Sequence, residues 1–203
     1  MKNMLKEFLY ALLFIAVSSP VEAQKDVRDL KNRWWISAGI GPGFLKTTFT
    51  QDTLNRSGKF GINVKGGHTF TKYLLTGIEI NGWNLTNKSF LSFDGSRLSS
   101  ASVNDLLLNT AFLMQTYPTR VPVLFKASIG WSFYMPSANN YKGSGIGVSL
   151  GTGYEHTMNK HFGLGLYLNY DFGKLTDRVI TNNEFLINRK YSVINMGLNF
   201  IIY

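Results

Sequence analysis

Residues 188–203 alternate between two faces. Ile194, Met196, Leu198, Phe200 and Ile202 share one face, and Asn195, Gly197 and Asn199 share the other. On a helix, residues two apart point to nearly opposite sides, so this spacing is incompatible with a helical stripe. A period of two with one wholly apolar face describes a β-strand that touches hydrocarbon on one side and polar groups on the other.

Seven upstream segments repeat the pattern, giving expected strands over residues 33–45, 59–70, 74–86, 104–116, 122–134, 144–156, 162–173 and finally 188–203. One face is apolar throughout: Trp34, Ile36 and Ile40; Phe60, Ile62 and Val64; Ile78 and Ile80; Leu106, Leu108, Phe112 and Met114; Phe125, Ile129, Trp131 and Phe133; Ile146, Val148, Leu150 and then Tyr154; Phe162 through Phe172. The other face is small or polar. It carries Gly39, Gly41, Gly61, Gly77, Gly130, Gly147, Gly151, Gly163 and Gly165, with Ser37, Asn63, Asn81, Asn109, Ser128, Ser149 and Asn169. The charges Lys65, Glu79, Asp105, Lys126, Glu155 and Asp171 also fall there.

Parity alone does not say which face is inside, and a soluble lipocalin-like barrel would turn the apolar face inward. Three features favour apolar-out. An eight-stranded barrel is narrow, and its interior has room for few large side chains, which suits nine inward glycines. Aromatic residues gather near strand ends: Trp34, Trp35, Phe70, Tyr73, Tyr117, Tyr154 and Phe162 toward one rim, and Phe44, Phe60, Trp131, Phe133, Tyr134, Tyr170 and Phe172 toward the other. Two such girdles belong at the two water–lipid interfaces. Connections also alternate: residues 71–73, 117–121 and 157–161 are short, whereas 46–58, 87–103, 135–143 and 174–187 are longer. Outer-membrane barrels pair short periplasmic turns with long outer loops. The expected fold is therefore all-β, an eight-stranded antiparallel transmembrane β-barrel of up-and-down meander topology. A ten-stranded barrel is the alternative, with extra β-structure in the longest connections.

Residues 1–23 read as a secretory signal peptide. Lys2 and Lys6 precede an apolar run from Phe8 to Val17 that is too short to span a bilayer as a helix, and Val21-Glu22-Ala23 forms a small-x-small cleavage site. Residues 24–203 form the barrel domain, with 24–32 a polar leader, and no further domain is expected after the last strand. Cleavage removes two basic and two acidic residues and leaves the net charge at +9. The chain has no cysteine, which excludes disulfides, thiolate metal sites and a cysteine nucleophile. A closed barrel satisfies its backbone between strands and supplies the missing restraint.

On these residues the chain resembles the small outer-membrane β-barrel proteins of the OmpA/OmpX-like type, often called porin-family proteins. The resemblance covers the whole of residues 24–203. Its most specific element is an assembly signal in the last strand, matched by Asn195, Gly197, Phe200 and Ile202, with the terminal aromatic, Tyr203, one place beyond the usual register. The resemblance implies insertion by the barrel-assembly machinery, a place in the outer membrane of a Gram-negative-type bacterium, and contact with its lipids and lipopolysaccharide. It leaves molecular activity open, because one barrel fold hosts adhesins, structural proteins and a few lipid enzymes.

No catalytic residues, cofactor or metal are expected. The three histidines, His68, His156 and His161, lie at or beside the expected periplasmic turns, far from the outer rim where a lipid hydrolase would meet its substrate. Ser149 is separated from His156 by seven residues, roughly 20 Å of strand. His156 and His161 lack a third ligand for a metal. The inward charges Lys65, Glu79, Asp105, Lys126, Glu155 and Asp171 are expected to pair as a plug, with an ion path or gate as the alternative. Lys46, Arg56, Lys88, Arg97, Lys142, Lys174, Arg178, Arg189 and Lys190 make the outer loops basic, which suits lipopolysaccharide phosphates. The serine-rich stretch 89–102 is a candidate surface for an extracellular partner. Scattered basic residues without a recognition motif do not indicate nucleic-acid binding. The expected function is structural or interactive. A narrow channel for ions or small solutes and a membrane-embedded lipid-modifying enzyme are the competing classes.

Overall fold

The computed structural model describes residues 33–48, 53–71, 73–87, 103–117, 122–135, 141–179 and 185–203. The expected signal peptide, the expected leader and the serine-rich stretch lie outside the described residues. Nine strand segments follow in order: β1 (Trp34–Gly41), β2 (Gly43–Thr48), β3 (Thr53–Thr71), β4 (Leu74–Asn87), β5 (Val103–Thr116), β6 (Val123–Met135), β7 (Tyr141–Thr157), β8 (Phe162–Val179) and β9 (Phe185–Ile202).

β1 and β2 are two halves of one stave. Both pair antiparallel with β3 on one side and β9 on the other, so nine segments make eight staves. The interruption falls at Pro42, which has no N–H to give to a ladder. Its carbonyl still accepts a bond from the Met196 amide at 3.2 Å, which holds the stave in register across the gap. Every consecutive pair from β3 to β9 is antiparallel, and Ile36–Ile40 against Leu198–Ile202 closes the ring. The expected eight-stranded meander is therefore the observed fold. β3 carries a bulge, since Gly58 pairs with Leu85 and Phe60 with Asn84, leaving Lys59 as the extra residue.

The apolar face points out. Ile129 is 59% exposed, Phe162 51% and Phe200 61%, while their neighbours Ser128, Gly163 and Ile201 are buried. On β8 the outward apolar run from Phe162 to Phe172 covers about eleven residues, the length of a tilted transmembrane strand. Lys174 and Thr176 follow it outward, exposed and polar. A closed ladder wrapped in such a band suits lipid and excludes the lipocalin-like alternative.

Two expectations need correction. The longer connections are largely strand. Phe44–Thr48 pair with Thr53–Ser57, β8 runs on to Val179 and β9 starts at Phe185, so the breaks at 49–52, 136–140 and 180–184 are short. The 88–102 break is the exception. Length asymmetry in the sequence thus reflects staves that outrun the bilayer. β3 has 19 residues, against the roughly 9–11 a membrane crossing needs.

The aromatic girdles also lose members. Trp34, Phe70, Tyr73 and Phe162 at one rim and Phe44, Phe60, Trp131, Phe133 and Tyr170 at the other are exposed. Trp34 and Phe70 flank His68 edge-on, at centroid distances of 5.3 and 5.5 Å. Trp35, Tyr117 and Tyr134 are instead buried, because their odd or even position turns them into the lumen. Tyr154 keeps the outward parity yet is buried, between its cross-strand partners Val123 and Leu166.

The short turns have local causes. Thr71 Oγ1 accepts bonds from the amides of Tyr73 and Leu74, and Asn159 Oδ1 accepts from those of His161 and Phe162. A short polar side chain that satisfies amides two and three residues on is a standard way to reverse a chain.

Candidate functional site: a lumen closed at both ends

The lumen has three layers, visible along single strands. On β4 the inward residues run Leu75, Glu79, Asn81, Trp83, from an apolar end through a polar middle to a second apolar end. Along β5 and the residue after it they run Tyr117, Gln115, Leu113, Ala111, Asn109 and Leu107.

At the short-turn end, Trp35, Leu75, Leu113, Tyr117 and Leu124 form one buried cluster, with Tyr203 packed against it. At the long-strand end, Trp83, Leu107, Tyr134, Leu175, Tyr191 and Val193 form another. Both lids depart from the expected inward face of small or polar residues. Parity alone was enough to place these side chains inward. Trp35, Tyr117 and Tyr134 are aromatic and near strand ends, which argued for girdle positions; the other members fall in neither expected girdle.

Room for the far lid comes from glycine. A Cβ on Gly61 would lie 2.8 Å from Trp83 Cδ1, and one on Gly43 would lie 3.0 Å from it, so the indole rests in a recess between the first two staves. Gly61→Val is expected to force the indole out of this recess at a cost of about 1–3 kcal/mol. A lowered urea midpoint with altered tryptophan emission would report it, and an unchanged midpoint would count against the recess.

Between the lids lies the polar belt. Lys126 and Glu79, both buried, form an ion pair. Ser128 Oγ donates to Glu79 Oε2 at 2.8 Å, and Asn63 Nδ2 donates to Glu79 Oε1 at 2.7 Å. Asn63 also hydrogen-bonds Asn81. Glu79 thus collects a cation and two neutral donors, the arrangement a buried carboxylate needs. Lys65 stands opposite Glu79 in the β3–β4 register and is buried near Glu79, Glu155 and Lys126.

Glu155 belongs to the turn end. It accepts from Tyr117 Oη and, at 3.3 Å, from Gln115 Nε2, whose amide also donates to Tyr117 Oη at 2.7 Å. Asp171 is fully buried opposite Ser149 on β7. Asp105 lies on β5 opposite Leu85, and its side chain lies outside the described residues. Of the five expected charges with described side chains, Glu79, Lys126 and Asp171 lie in the central belt, Glu155 toward the turn end, and Lys65 close to both Glu79 and Glu155.

Arg189 corrects the outer-loop assignment. It is a buried lumen residue, with its guanidinium 4.3 Å from the centroid of the Tyr134 ring. The alternation of Arg189, Tyr191 and Val193 within the expected last strand carried this signal, but a charge near the strand's start suits the loop rim as well as the lumen. Lys174 and Lys190 also leave the loops and stand on β8 and β9, exposed outward.

In the last strand, Asn195 is buried inward while Phe200 and Ile202 are exposed outward. A Cβ at Gly197 would overlap the Ile40 backbone and approach Tyr167 Oη, so no larger residue fits at this point of closure. Tyr203 is one place out of the expected register because it serves the lumen lid and not the outer girdle, and its amide donates to the His161 carbonyl at 2.9 Å. His156 and His161 are exposed at the turn rim. Among the described residues no three histidine or acidic side chains group to hold a metal.

No protein-family model matches the sequence, and no curated protein matches it. Solved structures resemble it in architecture. Neisserial surface protein A (NspA) is 12% identical, with 82% of this chain and 95% of that one covered at a TM-score of 0.48. OprG, an outer membrane protein from Pseudomonas aeruginosa, is 13% identical, covering 87% and 99% at 0.41. AlkL, an outer membrane protein solved by solid-state NMR in lipid bilayers, is 8% identical, covering 84% and 90% at 0.49. These are likenesses of overall shape, and the closed eight-stave transmembrane barrel rests on this chain's own ladders and outward apolar band.

Proposed function

We propose that the chain is an integral outer-membrane protein of a double-membraned bacterium, with a barrel that is a closed scaffold and a long-strand rim that carries its interactions. The observation behind this reading is the pair of apolar lids. Trp83, Leu107 and Leu175 at one end, and Leu75, Leu113 and Leu124 at the other, are each 1% exposed or less. An ion crossing the lumen would have to pass both hydrocarbon layers, which costs far more than passing a polar belt alone. The extended staves support an interactive role, since their paired backbone gives a stiff platform beyond the bilayer.

Lipopolysaccharide, the outer-membrane lipids and an extracellular partner at the loops are the partners this reading implies. The barrel-assembly machinery would act on the last strand through Asn195, Gly197, Phe200, Ile202 and Tyr203. Catalysis is not part of it. The histidines stand at the turn rim or on the outer face, and none is placed beside an inward serine at the opposite rim.

Refolded protein in a planar bilayer is expected to be electrically silent after heat-modifiable migration on a gel has confirmed folding. Discrete, reproducible conductance steps would replace the scaffold reading with a narrow channel.

A further inference from the structure

The outer face of β7, β8 and β9, with Trp131 of β6 at its edge, holds an open groove of about 850 Å³ where the apolar band ends. Trp131, Ile146, Tyr170 and Phe172 line its lower part, and Lys174 and Lys190 line its upper part. These lysines are direct cross-strand partners, both exposed on the same face. Like charges directly opposite each other destabilise a sheet. No carboxylate occupies an outward register position on these three strands to compensate them. Further up, the register sets Lys142 opposite Arg178. The small residues Gly145 and Gly173 lie against the backbone of the facing strand beside these lysines, so no side chain of theirs fills the groove floor.

We propose that this groove binds a phosphorylated glycolipid of the surrounding leaflet, with its phosphate between Lys174 and Lys190 and an acyl chain along Trp131, Ile146 and Phe172. The chemistry fits at each level. An anion between two like charges turns their repulsion into attraction. The aromatic side chains lie at the height where headgroups meet hydrocarbon. A soluble anion would use the lysines and leave the apolar trough unused. The occupant is therefore a lipid carrying the phosphate. The inference rests on the outer-membrane reading above, and it is independent of whether the lumen conducts.

The test is native mass spectrometry of the refolded barrel in micelles with bisphosphorylated lipid A, its dephosphorylated counterpart, and inorganic phosphate as competitor. The expected result is one bisphosphorylated lipid retained per barrel, at least tenfold weaker retention by the double variant K174Q/K190Q, and no retention of the dephosphorylated lipid. Lys160→Gln, at the opposite rim, should behave as the unsubstituted protein. Ser192→Glu, which puts a carboxylate in the groove and keeps both lysines, should also abolish retention and covers the case of a misfolded double variant. Equal retention by K174Q/K190Q and Ser192→Glu would overturn the site, as would equal retention of the dephosphorylated lipid. Displacement by millimolar inorganic phosphate would mean that a free anion is read instead of a lipid. A conducting barrel that still retains the lipid would remove the scaffold reading and leave this site standing.

Discussion

Lys126→Ala is expected to lower the unfolding free energy of the barrel by about 3–5 kcal/mol, the usual cost of leaving one member of a buried ion pair without its partner. Glu79 is fully buried, and its other partners, Asn63 and Ser128, are neutral donors that cannot replace the lost charge. Lys65 stands opposite Glu79 in register, but Lys126 is the residue that makes the ion pair. The effect should appear as a lower urea midpoint in micelles and as loss of heat-modifiable migration at a lower temperature. The double variant K126M/E79Q should recover most of the loss, because it removes the stranded charge together with its partner. If Lys126→Ala left the midpoint unchanged, the ion pair would not be what holds the belt together.

The second large effect is expected at the far lid. Trp83→Ala should cost about 3–5 kcal/mol, the range for deleting a large aromatic side chain from a packed interior. The indole is 1% exposed and rests against the Gly43 and Gly61 recess, so the surrounding backbone has little freedom to collapse into the space. The same variant is expected to stay silent in planar bilayers, because the turn-end lid of Trp35, Leu75, Leu113, Tyr117 and Leu124 is a separate closure. Opening by this single substitution would show that the far lid alone closes the lumen. A destabilised but silent barrel would support two independent closures.

These two residues were legible in the sequence to different degrees. Lys126 and Glu79 stood out because a charge on the less apolar face of a strand pattern is rare and has to be explained. That the ion pair joins strands β4 and β6 followed from the curvature of the closed ring, which brings non-adjacent staves together across a narrow lumen. Trp83 was hidden for the opposite reason. It falls in neither expected girdle, and an inward face expected to be small or polar leaves no place for an indole, which only the Gly43 and Gly61 recess provides.

By itself the sequence determined the alternating segments and which side chains share a face, a local property of an extended backbone. Alternation did not orient those faces; the aromatic girdles and the inward glycines argued for the apolar exterior. The tertiary structure alone decided three things: which lumen charges meet, that a buried apolar cluster stands at each end of the lumen, and that Lys174 and Lys190 are outward cross-strand partners. Each, the two buried apolar clusters included, depends on register between strands and on closure of the ring, which set distances between residues far apart in the chain. The alternation within any one strand contains no information about those distances.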